Sequence, residues 1–299
     1  MDMIQNKCCR HGANLRRRRR RRRKILRSII FSCSIIAVAV FVAVGSSMIR
    51  SGDGRTNKYD VEARNNTYDN AVIENSKISE KNKIQNNQSM LDDIMNSTQY
   101  PKQLKDLALK NEEALEFVYD YPAEHVKEHT IDLTEEASMD SVPLFVQWDK
   151  RWGYEKYSGN FFAASGCGPT TLSMVVVYLT HNREASPIAV AKYSKEAGYS
   201  VDGSGSSWTL ISEGCMHYGV KAKAVALDES RMKAELDEGH PIVVNVGPGD
   251  FTDTGHFMVI TGYDDEGFSI NDPNSIEKSG KRWLFKNISS QIRAVWSLY

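Results

Sequence analysis

Hydrophobic residues are distributed differently in three successive parts of the chain. Residues 25–49 are apolar almost throughout, and between positions 29 and 44 nothing more polar than serine or cysteine occurs. Residues 50–97 are rich in Asn, Ser, Lys and Glu with only scattered apolar residues, which predicts a disordered, solvated stalk. Residues 98–299 alternate apolar segments of helix or strand length with turn residues, which predicts a folded domain.

Within residues 98–299, the pattern predicts helices first and strands afterwards. Ser186 and Pro187 are typical of a helix start, and Gly198, Gly219 and Gly239 are typical of helix ends. The predicted helices cover residues 101–122, 167–179, 187–198, 208–218 and 230–238, and the predicted strands cover residues 142–147, 221–227, 241–246, 256–263, 268–272 and 293–298. This order is typical of an α+β fold and not of a doubly wound α/β fold.

A run of arginines directly precedes the long apolar segment and suggests its role. Residues 16–23 are all arginine, and about 20 apolar residues suffice to span a bilayer as a helix. Positive charge on the N-terminal side orients that side toward the cytoplasm. We therefore expect a basic cytoplasmic tail at 1–24, a transmembrane signal-anchor helix at 25–49 in contact with the lipid bilayer, and an extracellular remainder.

Two other interpretations of this N-terminal region are open. Residues 43–45, Ala-Val-Gly, have the small side chains of a cleavage site, so the apolar segment could belong to a removed signal peptide. The arginine run could bind nucleic acid, but the adjoining apolar segment argues against this, and we expect no nucleic-acid partner. The length of both segments favours a retained anchor.

The overall composition permits a sizeable core but hides a segregation of charge. The 299 residues have a formal net charge of zero and are 41% hydrophobic, which is enough for a packed domain. The net charge is zero because the basic N-terminus offsets a modest acidic excess in the rest of the chain. Neither quantity indicates an oligomeric state.

Cys167 is the strongest candidate for chemistry. It lies in the sequence SGCGPT at residues 165–170, directly before an apolar segment that predicts a buried helix. A thiol at a helix N-terminus faces the positive end of the helix dipole, which lowers its pKa, and the N–H groups there can hold a developing oxyanion. Cys167 could instead form a disulfide with Cys215, although the surroundings of Cys215 are typical of a buried helix cysteine.

His256 and Asp272 are the candidate partners of this thiol. His256 opens an apolar strand, where it could also merely satisfy a core hydrogen bond, and Asp272 ends the next strand, where it could merely form an Asx turn. If the turn between the strands centres on Asp264, His256 faces Asp272 directly. If the turn centres one or two residues later, around residues 265–267, Asp272 moves toward residues 258–260, and we expect the catalytic arrangement to require the first register.

Five short motifs carry a resemblance to a known family. They are QWDKRWG at 147–153, SGCGPT at 165–170, GHF at 255–257, TGY at 261–263 and NDP at 271–273. In this order they resemble the bacteriocin-processing (double-glycine) peptidase-like branch of the papain-like cysteine peptidases. The resemblance covers about residues 98–299, and residues 104–122 resemble a helix that often precedes this module in bacterial surface proteins.

This resemblance implies a fold and a set of roles. The fold is a papain-like α+β fold with N-terminal helices packed on an antiparallel sheet. Cys167 is implied as nucleophile, His256 as general base and acid, Asp272 as the group that orients the imidazole, and Gln147 as an oxyanion-hole donor beside the N–H of Cys167. Gln147 lies further upstream of the cysteine than is usual in papain-like sites, and its amide could instead pair with backbone at a strand end.

The sequence thus predicts a membrane-anchored, extracellular cysteine peptidase that acts on peptide or protein substrates. His217 and His240 lack the spacing of zinc ligands, so we expect no metal, and we expect no organic cofactor. The best-known relatives are fused to transporter subunits, but no phosphate-binding loop occurs here, so their double-glycine leader substrates do not carry over. Two alternatives are a cell-wall peptide amidase or endopeptidase with the same triad, and a non-catalytic surface binding module.

Overall fold

A computed structural model describes residues 79–299. The predicted cytoplasmic tail, the predicted membrane anchor and most of the predicted stalk lie outside these residues. Within residues 79–299, no helix combines the length and the apolar character needed to cross a bilayer.

Helices make up the first part of the described chain. The helices before residue 139 are α1 (79–96), α2 (Lys102–Lys110), α3 (Leu115–Tyr119), α4 (Tyr121–Glu124) and α5 (Thr134–Ser138), with a 3-10 turn at Glu112–Ala114. A hairpin of β1 (Lys156–Tyr157) and β2 (Asn160–Phe161) and the short α6 (Phe162–Ser165) then lead to the long α7 (Cys167–Thr180). Helix α8 (Pro187–Glu196) follows.

Strands dominate the second part. After α8 come β3 (Ser200–Val201), β4 (Gly205–Ser206), α9 (Thr209–Ser212), a 3-10 turn at Gly214–Tyr218, β5 (Ala222–Ala224), α10 (Glu229–Asp237), β6 (Ile242–Val246), β7 (His256–Asp264), β8 (Gly267–Asn271), α11 (Ile276–Ser279), β9 (Arg282–Trp283), α12 (Phe285–Ile288), a 3-10 turn at Ser289–Gln291 and β10 (Ile292–Leu298). The main sheet has six strands in the order β5-β10-β6-β7-β8-β9, and every neighbouring pair is antiparallel. The predicted α+β class is confirmed.

The core has two layers, one on each face of this sheet. On one face, α7 packs on β6 and β7 and is itself covered by α8, so Val175, Val176 and Val177 are all buried. On the other face, Met232 of α10 packs with alternate residues of the same strands. Because α7 is enclosed on several sides, it is apolar nearly all round, as a core helix should be.

Two predicted elements are wrong in kind. Residues 142–147 form no strand; their backbone is held by the side chain of Asn271, which donates to the carbonyl oxygens of Val142 and Pro143 at 3.1 and 3.0 Å. Proline has no N–H to give to a sheet ladder, which explains the irregular path. The predicted helix at 208–218 is split at Glu213 into α9 and a 3-10 turn.

The region before residue 139 also differs from prediction. The helix predicted at 101–122 is interrupted at Asn111, whose backbone is extended (φ −136°, ψ 100°). Residues 79–96, predicted as the end of a disordered stalk, form α1, and Ile94 is fully buried against α2 and α3. The polar average of residues 50–97 conceals the apolar face that Met90, Leu91 and Ile94 give to α1.

The packing of α1 generates a stability prediction with an internal control. Ile94 has 0% of its surface exposed, whereas Ile84 on the same helix is 62% exposed. We expect Ile94→Ala to lower the free energy of unfolding by about 2–5 kcal/mol because it leaves a cavity, and Ile84→Ala to change it by less than about 0.5 kcal/mol. Denaturant unfolding of both variants measures this, and equal effects would show that α1 does not belong to the folded unit.

Candidate active site

Cys167 is the first residue of α7, as the sequence predicts. The two glycines beside it are required by close approaches: an added Cβ at Gly166 would lie 2.6 Å from the ring of Phe162, and one at Gly168 would lie 2.6 Å from Oγ of Ser206. The backbone N–H groups of Gly168 and Phe257 help to lower the pKa of this thiol. The helix therefore presents a partly exposed thiol among N–H donors.

His256 is the first residue of β7 and is almost fully buried. Its Nε2 lies 2.7 Å from Oδ1 of Asp272. The imidazole and Cys167 are close enough for each to shift the pKa of the other, and because Nε2 is engaged by the carboxylate, Nδ1 is the nitrogen left for the thiol. Cys167, His256 and Asp272 thus lie together at one site.

The strand register that produces this contact is not the one we expected the site to require. The turn of the β7–β8 hairpin lies at Asp265 and Glu266, because Asp264 pairs with Gly267, and the last pair is Val259 with Asn271. Continuing that register sets Asp272 opposite Met258, two residues from His256. Residues offset diagonally by two share a face of the sheet, and long side chains can still meet across this offset. The expectation that only direct opposition permits the contact is therefore wrong.

The surroundings of Asp272 combine both of the roles weighed from sequence. Its Oδ1 accepts the N–H of Asn274 at 2.8 Å, which is an Asx turn, as well as the hydrogen bond with His256. Its backbone N–H donates to Oγ of Ser279 at 2.9 Å. Asp272 is fully buried, and its Oδ2 accepts no hydrogen bond from the described residues, so His256 is the charge that compensates this carboxylate.

Burial and mutual contact shift the titration of the thiol and the imidazole in opposite directions. Burial by itself raises the pKa of Cys167, but the hydrogen bond to His256 and the positive charge of its ring outweigh it, so the net pKa lies below the ordinary value. Burial by itself lowers the pKa of His256, but the carboxylate of Asp272 and the sulfur of Cys167 raise it well above the ordinary value. Both shifts favour a thiolate–imidazolium pair.

Gln147 lies in the wall of the same cleft as Cys167 despite its distance in sequence. The β1–β2 hairpin and α6 fill the intervening chain and return it, so that Nε2 of Gln147 donates to the carbonyl oxygen of Ala163 at 2.7 Å. The backbone N–H of Gln147 donates to the carbonyl oxygen of Pro273 at 2.7 Å. The predicted backbone pairing of the amide is therefore present, but outside a strand, and the second N–H on Nε2 is not used by that bond.

Cys215 is a separate case from Cys167. Both are free thiols, so no disulfide joins them. Cys215 is fully buried, and this burial raises its pKa to about 11. It behaves as the buried core cysteine that the sequence indicates.

The structure contains a cleft of about 490 Å³ beside the thiol. Cys167, His256 and Gln147 lie in its wall together with residues of α2 and the loop at 249–255. Such a cleft has the size of a ligand-binding site. Among residues 79–299, no group of three or more His, Cys, Asp or Glu side chains is arranged to hold a metal ion.

Sequence reasoning missed two polar residues near the site, and both lie at the helix break around Asn111. Asn111 and Glu113 contact the loop that carries Asp272, and Asn111 also lines the cleft. The one available signal was an Asn-Glu-Glu sequence interrupting an apolar helical pattern. Trp148 donates from Nε1 to the carbonyl oxygen of Asn274 at 3.2 Å.

The different surroundings of the two thiols generate a reactivity prediction. Because the pKa of Cys167 is lowered, we expect iodoacetamide to alkylate it at neutral pH, while Cys215 reacts at least about tenfold more slowly. In His256→Ala the thiol keeps its burial but loses its charge partner, so its rate at pH 7 should fall and recover only as the pH rises. Peptide mass spectrometry over a pH series measures both sites, and equal slow rates would contradict an activated thiolate.

Comparison with known proteins gives a family. The profile of the Peptidase_C39 like family matches residues 139–299. Among solved structures, the peptidase domain of Streptococcus ComA, a bifunctional ABC transporter involved in quorum sensing, is 20% identical, with a TM-score of 0.36; the match covers 45% of this chain and 90% of that one. A Bacillus anthracis protein assigned to the C39-like peptidases is 16% identical, with a TM-score of 0.34, and the match covers 57% of this chain and 98% of that one.

No curated protein matches the sequence. The family match spans more than half of the chain and includes Cys167, His256, Asp272 and Gln147. It confirms the resemblance drawn from the five motifs. The chain belongs to the Peptidase_C39 like family.

Proposed function

We propose that this protein is a membrane-anchored, extracytoplasmic cysteine peptidase that hydrolyses peptide or amide bonds with Cys167, His256 and Asp272. The observation that carries the proposal is the hydrogen bond between the imidazole of His256 and a buried carboxylate, in a cleft whose wall also contains the thiol of Cys167. A non-catalytic binding module has no need for a thiol whose pKa is lowered at the wall of an open cleft.

The first half of the reaction forms an acyl-enzyme. His256 takes the proton of Cys167, and the thiolate sulfur attacks the carbonyl carbon of the substrate while the carbonyl π electrons move to its oxygen. When this tetrahedral intermediate collapses, the carbon–nitrogen bond breaks and His256 gives its proton to the leaving amine. A thioester on Cys167 remains, and His256 is neutral again.

The second half regenerates the thiol. Neutral His256 takes a proton from a water molecule, whose oxygen attacks the thioester carbon. Collapse then breaks the carbon–sulfur bond, the acid product leaves, and the thiolate and imidazolium are restored. This sequence uses only side chains of the protein and water, so it requires no metal or organic cofactor.

Asp272 and Gln147 have supporting roles in this mechanism. Asp272 accepts the Nε2–H of His256 and so keeps Nδ1 directed at the sulfur, while its charge stabilises the imidazolium. The N–H of Cys167 and the second N–H on Nε2 of Gln147 would stabilise the oxyanion of both tetrahedral intermediates. The first N–H on Nε2 fixes the amide by its bond to Ala163.

The cellular setting in the proposal is supported by the N-terminal sequence. The arginine run at 16–23 and the apolar residues 25–49 give a cytoplasmic tail and a single membrane anchor, which leave the peptidase domain outside the cell. Peptides or proteins are the substrates that membership of a peptidase family implies. Cell-surface proteins are therefore the first substrates to test, and cell-wall peptides the second.

The nucleophile is tested by substitution of each cysteine. We expect Cys167→Ala to reduce cleavage by about 10³-fold or more, because no thioester can form, while Cys215→Ala keeps activity near that of the parent. Mass spectrometry of surface proteins and of purified cell-wall peptides, incubated separately with the full-length protein, identifies the products. Cleavage by Cys167→Ala at the parental rate would refute the mechanism, and fragments from wall peptides alone would favour the amidase.

The oxyanion role is tested with a matched pair of glutamines. Gln147→Ala should lower kcat by about 10²–10³-fold with little change in KM, because the lost donor acts only when the oxyanion forms. Gln103 also lines the cleft but is exposed on α2, so Gln103→Ala should leave kcat near the parental value. Steady-state kinetics measure both variants. A fall in kcat/KM caused only by a raised KM would assign Gln147 to substrate binding instead.

A further inference from the structure

Residues outside the family match contact the loop that carries Asp272. The carboxylate of Glu113 lies at the start of α11: its Oε2 accepts the backbone N–H groups of Ile276 at 2.8 Å and Glu277 at 3.1 Å. Its Oε1 accepts the hydroxyl of Ser275. The match begins at residue 139, so Glu113 belongs to the preceding helical region. A charged acceptor that serves three donors is a strong contact between these two parts of the chain.

Asn111 makes a second contact with the same loop. Its Nδ2 donates to the backbone oxygen of Asn274 at 2.9 Å and to the side-chain oxygen of Asn274 at 3.1 Å. Its Oδ1 accepts the N–H of Glu113 at 3.0 Å, so the two side chains are held in one arrangement. The helix break at Asn111 is what directs both of them at the loop.

The contacted residues connect directly to the carboxylate. Asn274 gives its N–H to Oδ1 of Asp272, the same oxygen that meets His256. The N–H of Ser275 donates to the backbone oxygen of Asp272 at 3.2 Å. A displacement of Asn274 and Ser275 would therefore move the oxygen that orients the imidazole.

We infer that Glu113 and Asn111 are positioning residues of the proposed active site, which hold the loop at 272–275 so that Asp272 stays on His256. This inference rests on the proposed function of the site. It makes the helical region before residue 139 a working part of the enzyme. Consistent with this, α2 and Asn111 also form one wall of the cleft.

A purely structural role for Glu113 is the competing explanation, and the packing separates the two. The helical region is attached to the rest of the protein by an apolar cluster that includes Leu104, Leu115 and Phe161. Glu113 lies outside that cluster and is only half-buried. Removing its carboxylate should therefore loosen the loop while the helices remain packed.

The deciding measurement is the pH dependence of alkylation of Cys167 in the full-length protein. In Glu113→Ala the carboxylate of Asp272 is held less firmly, so the imidazolium is less stable and the thiolate loses part of its partner. We expect the apparent pKa from iodoacetamide rates to rise by about 0.5 units or more. Where cleavage is measurable, kcat should fall about 10–100-fold, as for other displaced catalytic groups.

Other charged groups near the thiol are left unchanged in this design. Those lining the cleft are Asp106, Lys110, Asp250, Asp253 and Lys278. Glu116→Ala is the matched control, because Glu116 is an exposed glutamate of α3 with no hydrogen bond to the loop. It should leave both the apparent pKa and kcat unchanged.

A second variant and a double mutant complete the test. Asn111→Ala should shift the apparent pKa in the same direction, and it decides the matter if Glu113→Ala fails to fold. If Glu113 acts through Asp272, adding Glu113→Ala to Asp272→Asn should cause little further shift. Unshifted profiles in folded Glu113→Ala and Asn111→Ala, or fully additive shifts in the double mutant, would overturn the inference.

The two proposals fail in distinguishable ways. If the variants show no shift in the apparent pKa while the parent protein cleaves substrate, only the positioning role is refuted. If the alkylation profile shifts but the parent protein cleaves neither proteins nor wall peptides, the peptidase function is refuted and the positioning role is retained.

Discussion

The buried hydrogen bond between His256 and Asp272 is the contact on which the proposed site depends. A carboxylate without exposure to water needs a positive partner, and the imidazole supplies it when it carries the proton of Cys167. The same proton transfer creates the nucleophile. The positive charge on the imidazole therefore both stabilises the buried carboxylate and makes the thiol reactive. This coupling explains why the pKa of Cys167 falls while that of His256 rises, although burial by itself shifts each pKa in the opposite direction.

The loop at 272–275 connects every part of the site to this contact. Asp272 meets the imidazole, and the oxygen of Pro273 accepts the backbone N–H of Gln147, so the candidate oxyanion donor is attached one residue further on. Asn274 is held by Asn111 and Trp148, and Ser275 by Glu113. Each residue of the loop has its own partner. The loop is thus held by the main sheet, by the segment that carries Gln147, and by the helices before residue 139.

Sequence reasoning succeeded for those site residues whose position in a helix or strand is determined by the local sequence pattern. A cysteine between glycines before an apolar helix, and a histidine opening an apolar strand, are local signals, and both were placed correctly on α7 and β7. The strand register was not predictable, because it depends on a bulge near Gly262 and a turn that differ little in sequence from the alternatives. The contact with Asp272 nevertheless forms, because side-chain reach tolerates an offset of two residues.

The roles of Asn111 and Glu113 could not be predicted because they depend on contacts more than 160 residues away in sequence. Locally, Asn111 and Glu113 only weaken a helix, and a pattern-based reading continues the helix through them. In the folded protein, the broken helix is the feature that aims two polar side chains at the loop. Departure from local preference at this position therefore has a tertiary cause, which is the behaviour expected near functional sites. It follows that a folded domain defined by the family match alone would lack two of the groups that fix its candidate carboxylate.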